Sequence, residues 1–345
     1  MEILKHSIKT DIPLKDYSTF KIGGPAKFFV EVDDLQRLAS VLKWAQSHQQ
    51  KVFILGGGSN ILFMDQGFDG LVIKLINKEI KVEIIENDGI TIKCGAGVGL
   101  AKLVAESFKN DAQGLEWAVG IPGTVGGAVR GNAGAFGGEM KDVVKKVKVI
   151  NAKSCKLIKK DFVNLSIPPN ELKENIEYAC RNMIQTFNNK ECEFGYRESV
   201  FKETTCLLIW EIEISLKAGN REKSKTIAKD HLSKRELKQP NVIKYPSAGS
   251  IFKNPKVSKK IQEKFKHDTG AESRNNKVPA GWLVTRCGLN GKRIGDAMIA
   301  KEHGNFIVNM GEAKASDVLI LISIMKTYVR DKYGVQLREE VSIVH

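Results

Sequence analysis

Along the chain the hydrophobic positions switch between a period of two and one near 3.6, and the switches mark the elements. Phe28-Phe29-Val30-Glu31-Val32 predicts a strand, and Asp33 or Asp34 then caps a helix whose Leu35, Leu38, Leu42 and Ala45 share one face. Val52 to Leu55 is the next strand and runs straight into Gly56-Gly57-Gly58-Ser59-Asn60. This β-α-β unit ends in a bare turn at the carboxyl end of a strand, where open α/β sheets bind ligands. The turn is not GxGxxG, so a Rossmann dinucleotide site is not indicated.

Further strands are predicted at Leu71 to Leu75, Val82 to Ile85 and Thr91 to Cys94, followed by a helix with Leu100, Leu103, Val104 and Phe108 on one side. Leu208, Trp210, Ile212, Ile214 and Leu216 alternate with residues that turn polar from Glu211 onward, a half-buried strand. Gly219-Asn220 breaks that pattern, Arg221 to Lys238 is polar with weak helical periodicity, and Pro240 stops it, which places a domain junction near residue 219. Beyond it come a helix around Trp282 to Arg286 and a strand at Asn305 to Asn309. A long helix follows from Ser316 to Tyr333 with Val318, Leu319, Ile322, Met325 and Val329 inward, then a closing strand from Val335 to Val344. Strands punctuated by helices imply an α+β protein with domains 1–219 and 220–345.

Between Gly120 and Gly138 the chain reads GIPGTVGGAVRGNAGAFGG, eight glycines in nineteen residues, where 31 in 345 would place about two. Such a density costs backbone entropy, is not accounted for by packing, and calls for tight turns or a ligand lying against the main chain. Uncovered peptide N–H groups make anion nests, and Ser59, Asn60, Thr124 and Asn132 add short polar groups beside them. A flexible linker would lack the interleaved Ile121, Val125, Val129 and Phe136. Two such loops suit a phosphate-bearing ligand.

Composition narrows the setting. With 42% hydrophobic and 27% charged residues the chain is an ordinary globular one. Its start, MEILKHSIKTDIP, has no apolar run of signal-peptide length, and Val318 to Ile322 is too short to span a membrane, so a cytoplasmic protein is expected. The six cysteines, Cys94, Cys155, Cys180, Cys192, Cys206 and Cys287, form no C-x-x-C pair, which argues for reduced thiols and no metal. A net charge of +14 favours polyanions. The lysines, however, are scattered through 141–160, 221–238 and 253–266 without interleaved aromatics or a nucleic-acid motif, so small molecules rather than nucleic acid or membrane are the expected partners.

Three polar segments could carry chemistry. Phe194-Gly195-Tyr196-Arg197-Glu198-Ser199 sets an arginine beside an aromatic and a possible capping serine, and a guanidinium can bind a carboxylate through two parallel hydrogen bonds. Tyr245 to Pro255, YPSAGSIFKNP, pins Ser250 between prolines and a glycine and adds Lys253 and Asn254. No G-x-S-x-G elbow is present, which argues against a hydrolase nucleophile and leaves Ser250 as a group that could donate a proton. In Gly334 to Val341, GVQLREEV, neighbouring strand residues point to opposite faces, so only one of Glu339 and Glu340 can enter a site. Taken alone, each segment also reads as a surface ion pair, a solvated turn or an edge strand. His303, Trp117 and Trp282 stand in no such constellation and read as structural.

In order, GGGSN, GIPGTVGGAV with NAGAFGGE, YRESVFK, PSAGSIFKNP, KVPAGWL, HGNFIVN and GVQLREEV resemble the UDP-N-acetylenolpyruvoylglucosamine reductase (UDP-N-acetylmuramate dehydrogenase) family from Ser18 to Val341, in the branch without the extra tyrosine-bearing substrate loop. The resemblance implies an FAD-binding domain of the vanillyl-alcohol-oxidase kind over 1–219, built of two α+β subdomains of about 1–75 and 76–219, and a carboxy-terminal α+β substrate domain over 220–345. Gly56, Gly57, Gly58, Ser59 and Asn60 would wrap the FAD pyrophosphate, and Pro122, Gly123, Thr124, Gly126, Gly127, Asn132, Gly134 and Ala135 would line the rest of the cofactor. NADPH would reduce the flavin and be replaced by UDP-N-acetylglucosamine enolpyruvate, with hydride then passing from flavin N5 to the vinyl carbon. Arg197 would stabilise charge on the substrate carboxylate. Glu340 would assist, as an acid or through water, and Ser250 would protonate the α-carbon with Lys253 beside it to replenish the proton. Tyr196, Lys253 and Asn254 would position the substrate of an enzyme expected to serve peptidoglycan synthesis, by default as a monomer.

Arg130-Gly131 departs from the larger residues that the family places there, and a helix-like stretch from Asn170 to Thr186 reads as an insertion within 151–193. The rival readings are another FAD-dependent sugar oxidoreductase on the same fold, or a non-enzymatic sugar-nucleotide or RNA-binding protein, which would be colourless where a flavoprotein is yellow.

Overall fold

The structure, a computed structural model, describes residues 7–85, 89–152 and 183–345. The chain forms two compact units. One holds the described part of Met1–Ile12 with Lys27–Gly57 and Asp69–Ser233, and the other holds Pro13–Ala26, Gly58–Phe68 and Lys234–His345. The division falls after Ser233, inside the helix Arg221–Lys238, rather than at the Gly219-Asn220 break. Two short early segments belong with the carboxy-terminal unit, which periodicity cannot reveal.

In the first unit the helix Leu35–Ser47 begins as expected, with the Asp34 carboxylate accepting the Arg37 N–H at 2.7 Å. Its Leu38, Val41, Leu42 and Ala45 are buried. A four-stranded sheet runs in the order Lys9–Pro13, Pro25–Val32, Phe68–Leu75, Val52–Leu55, the last pair parallel, so Val52–Leu55 delivers the chain to the Gly56-Gly57 turn. A second, antiparallel sheet orders Ile184–Asn188, Val144–Asn151, Leu207–Ala218, Gly89–Gly95 and Ile80–Ile85. Its central strand Leu207–Ala218 is buried at its first four residues and alternates from Glu211 onward, as its sequence pattern predicts. Helix Leu100–Lys109 adds Leu100, Leu103 and Val104 to the same core.

The expected helix from Asn170 to Thr186 falls largely outside the described residues; Met183 is helical, and from Ile184 onward the expectation is corrected. Ile184–Asn188 is a strand, with Phe187 opposite Val147 and Ile184 opposite Ile150. Ile184 and Thr186 are β-branched and Phe187 aromatic, a local preference that agrees with the pairing.

In the second unit Ser247–Ser250, Phe306–Asn309, Ala297–Ile299 and Arg293–Ile294 form an antiparallel sheet in that order. Helix Ala315–Tyr333 buries Val318, Leu321, Ile322, Met325 and Val329. Leu321 takes the place expected for Leu319, which is only half-buried, because three- and four-residue steps from Val318 reach 321 and 322. The closing strand is also corrected: only Ser342–Val344 is a strand, and it pairs in parallel with Ile61–Phe63. Val335, Leu337 and Val341 are buried, so the alternation reports burial correctly. The 338–340 backbone, however, bonds to 251–253 instead of to a ladder, through Lys253 N–H to Arg338 C=O at 3.0 Å and Glu340 N–H to Ile251 C=O at 2.7 Å.

Among the described residues no helix is long and apolar enough to cross a membrane. Cys94, Cys192, Cys206 and Cys287 are free thiols, and burial pushes those of Cys94 and Cys192 up to about 12.

Candidate active site

The glycine segment divides into two kinds of position. A Cβ on Gly126 would lie 2.7 Å from the Ala96 Cβ, and one on Gly138 would lie 2.3 Å from Trp117 Cδ1. Gly134 would meet the Gly138 carbonyl at 2.8 Å across the hairpin Gly134–Ala135 and Gly138–Glu139. These glycines are required by close packing, which corrects the expectation that packing does not account for the run. Gly127 is different: a Cβ there would meet nothing nearer than Thr124 Oγ1 at 3.6 Å, and one on Gly137 would meet nothing within 4 Å. Those positions keep bare backbone facing open space.

The two glycine loops of this unit meet main chain to main chain. A Cβ on Gly57 would fall 2.5 Å from Gly123 Cα, and one on Gly56 would fall 2.6 Å from Thr124 Oγ1. Thr124 caps the helix Val125–Arg130, its hydroxyl accepting the Gly127 N–H at 3.4 Å. The result is a continuous peptide surface with room beside Gly127 and Gly137, and its chemistry fits a diphosphate-bearing cofactor such as FAD. Gly58, Ser59 and Asn60 belong to the second unit, where Asn60 Nδ2 donates to the Glu340 carbonyl at 3.1 Å.

Asn132 has a different task from the one expected of its side chain. It is fully enclosed, Nδ2 donates to Glu139 Oε2 at 2.7 Å and to the Gly195 carbonyl at 2.9 Å, and Oδ1 accepts the Lys141 N–H at 3.0 Å. It ties the glycine segment to the turn that carries Arg197. A second tie is Ser199, whose hydroxyl donates to the Arg130 carbonyl at 2.7 Å. Ser199 stands at the N-cap of Val200–Glu203 but makes no cap bond with its side chain, a correction of the capping role.

Arg197 sits in that turn with φ +62°, a left-handed conformation that an arginine adopts only when its surroundings impose it. The causes are visible. Gly195 and Glu198 exchange backbone hydrogen bonds, Lys202 Nζ donates to the Arg197 carbonyl at 3.1 Å, and Arg197 Nη2 donates to the Gly134 carbonyl at 2.9 Å. The guanidinium lies 5.5 Å from the centre of the half-exposed Tyr196 ring.

Within the second unit, Ser250 follows a bulge. The pairing of Ser247 with Val308 and of Ser250 with Phe306 shifts register between them, and Gly249 has φ +75° with nothing within 4 Å of a Cβ. Asn305, buried, clamps the next residues: its Oδ1 accepts the Phe252 N–H and its Nδ2 donates to the Phe252 carbonyl, both at 2.9 Å, while its carbonyl accepts the Ile251 N–H at 2.8 Å. His303 Nδ1 accepts the Asn305 N–H at 3.1 Å, and burial lowers the pKa of its ring. Ser250 is half-buried, and its hydroxyl has no hydrogen-bond partner among the described residues. Glu340 is brought beside this strand by its N–H bond to Ile251, whereas Glu339 pairs with Lys326 at 2.8 Å. Asn254 Oδ1 accepts the Ala280 N–H at 3.0 Å at the start of the helix Ala280–Arg286.

Sequence reasoning missed Asn305, although HGNFIVN contains it. A buried asparagine just before a strand is the signal.

Residues 26–157 match the family model described as FAD binding domain, and residues 239–344 match UDP-N-acetylenolpyruvoylglucosamine reductase, C-terminal domain. The reductase of Alkaliphilus oremlandii is 35% identical over 97% of this chain and 92% of its own length. The chain belongs to the UDP-N-acetylenolpyruvoylglucosamine reductase family. The family member from Carboxydothermus hydrogenoformans is 36% identical over 96% of this chain and 92% of its own. The crystal structure of the reductase from Thermus caldophilus superposes with a TM-score of 0.70 at 29% identity, covering 98% of this chain and 99% of that one. The fold is thus the α+β one expected of this reductase family, with an FAD-binding fold followed by a carboxy-terminal α+β region.

Proposed function

We propose that this chain is an FAD-dependent oxidoreductase that uses NADPH to reduce UDP-N-acetylglucosamine enolpyruvate to UDP-N-acetylmuramate, in peptidoglycan precursor synthesis. Family membership over nearly the whole chain carries the activity. The Ser250 hydroxyl, without a hydrogen-bond partner among the described residues and presented at the end of a bulged strand whose next residue, Ile251, holds the Glu340 N–H, supports the residue roles. FAD, when bound, supplies a two-electron carrier between the nicotinamide and the enol ether.

The residues act on the substrate. Two hydrogens add across its carbon–carbon double bond, a hydride at the terminal carbon and a proton at the α-carbon, while NADPH becomes NADP⁺. Charge builds on the carboxylate as the hydride adds, and Arg197, fixed by Gly134 and its own turn, is preorganised to bind it. Ser250 gives the proton, Glu340 assists the polarisation, and Lys253 stabilises the serine oxygen afterwards. Tyr196 and Asn254 hold the sugar nucleotide. The peptide surface of Gly56, Gly57, Pro122, Gly123, Thr124, Gly127, Gly134 and Ala135 takes the cofactor, with Gly126 and Asn132 shaping it, and Gly58, Ser59 and Asn60 are the further residues assigned to its pyrophosphate. In this reading the unit that holds Lys27–Gly57 and Asp69–Ser233 serves FAD binding, and the unit that holds Lys234–His345 serves substrate binding.

Anaerobic stopped-flow tests the reading. NADPH should bleach the bound flavin, and UDP-N-acetylglucosamine enolpyruvate should restore its colour. A reduced protein that stays bleached with that substrate would overturn the assignment.

A further inference from the structure

Arg130 ends the helix Val125–Arg130 inside the glycine segment, and its guanidinium has neither a hydrogen bond nor an ion pair among the described residues. The Arg130 side chain is reached by solvent, yet enough protein surrounds it that desolvation holds its pKa below the ordinary guanidinium value. An exposed guanidinium without a protein partner among the described residues, on a segment of bare peptide, is open to an anionic ligand.

The place of Arg130 in the wall follows from bonds to its backbone within one unit. The Arg130 carbonyl accepts from Ser199, and four residues on, the Gly134 carbonyl accepts from Arg197. Two short pieces of chain, each carrying a guanidinium, are thus cross-tied along the bare peptide wall. A Cβ on the following Gly131 would come no nearer to a neighbour than 3.6 Å, to the Gly127 carbonyl.

We propose that Arg130 is an oxyanion-binding residue of this wall, set to hold a phosphate or carboxylate group of a ligand lying against residues 127–137. The inference rests on the reading of the wall as the FAD and sugar-nucleotide site. Two sources share that chemistry, the diphosphate of the cofactor and the anionic groups of NADPH or the enolpyruvyl substrate. A guanidinium grips such oxygens through two parallel hydrogen bonds, which an ammonium cannot reproduce.

Arg130→Met keeps the aliphatic stem, and Arg130→Lys keeps the charge. For both variants and the wild type, the FAD dissociation constant is read from flavin fluorescence, and those of NADP⁺ and the enolpyruvyl substrate from their perturbation of the oxidised flavin spectrum, without turnover. Arg130→Met should weaken one of these by about tenfold or more, with Arg130→Lys losing less, and the ligand affected names the source. Constants unchanged for all three ligands would overturn the proposal. So would a uniform loss accompanied by a fall in melting temperature, which would mean a structural role. Should the chain bind no FAD, the family reading fails separately, and a calorimetric titration with inorganic pyrophosphate still decides: equal affinity in wild type and Arg130→Met overturns the proposal.

Discussion

The glycine segment 120–138 and the loop 245–255 both concentrate small residues, and they use them in opposite ways. In the first, side chains are absent so that backbones can meet each other and a ligand: Gly126 and Gly138 make room for Ala96 and Trp117, while Gly127 and Gly137 face open space. In the second, a single positive-φ glycine bulges the strand, and the Asn305 clamp then presents Ser250 on an otherwise ordinary extended backbone. One region offers main-chain dipoles, the other a particular hydroxyl. Composition treats these as alike, and only their neighbours separate them.

The contrast breaks most sharply at Ser250. Ser250→Ala should slow flavin reoxidation by the enolpyruvyl substrate roughly hundredfold to ten-thousandfold, the usual range for losing a general acid. Flavin reduction by NADPH should stay nearly intact, and unchanged reoxidation in stopped-flow would remove the serine from the mechanism.

A paired substitution sharpens the other side. Gly138→Ala drives a methyl group into the Trp117 ring and should cost about 1–3 kcal/mol in urea unfolding. Gly127→Ala meets only the Thr124 hydroxyl, at ordinary contact distance, and lies within a helix, so its stability should hold or rise by about 0.5–1 kcal/mol while FAD binds more weakly. Equal stability losses in the two variants would erase the distinction between packing and ligand-facing glycines.

The smallest effect is expected at His303. Its folded pKa is depressed by burial, so its neutral form stabilises the fold above the unfolded value near 6.5, and that contribution is lost as pH falls through the folded pKa. A protonated Nδ1 also can no longer accept the Asn305 N–H that it holds at 3.1 Å. Melting temperature should therefore fall more steeply on acidification from pH 7.5 to 5 in the wild type than in His303→Gln. Parallel slopes would show that this histidine does not titrate with folding.

Much of the fold was legible in the sequence because burial leaves a periodic trace. The alternation from Glu211 to Leu216 and the three- and four-residue steps after Val318 each name a buried face correctly. Those traces report which side is buried and not what the backbone bonds to. Val335 to Val341 therefore reads as a strand, while its backbone is engaged by the loop at 251–253. The candidate residues were legible through motif order, since Arg197, Ser250 and Glu340 stand in segments whose sequence is similar along the whole chain to one family. Asn305 and Ser199 were not, because a buried polar side chain is recognisable only by the partners it satisfies.

By itself the sequence determined the strand and helix periodicities, the glycine density and the family, since each is a local or ordered property of the chain. Tertiary structure alone decided that Pro13–Ala26 and Gly58–Phe68 join the carboxy-terminal unit, that Gly126, Gly134 and Gly138 serve packing, and that Arg130 has no partner among the described residues. Each of these depends on which distant atoms come within a few ångströms, and steric exclusion, desolvation and hydrogen-bond satisfaction act at that range.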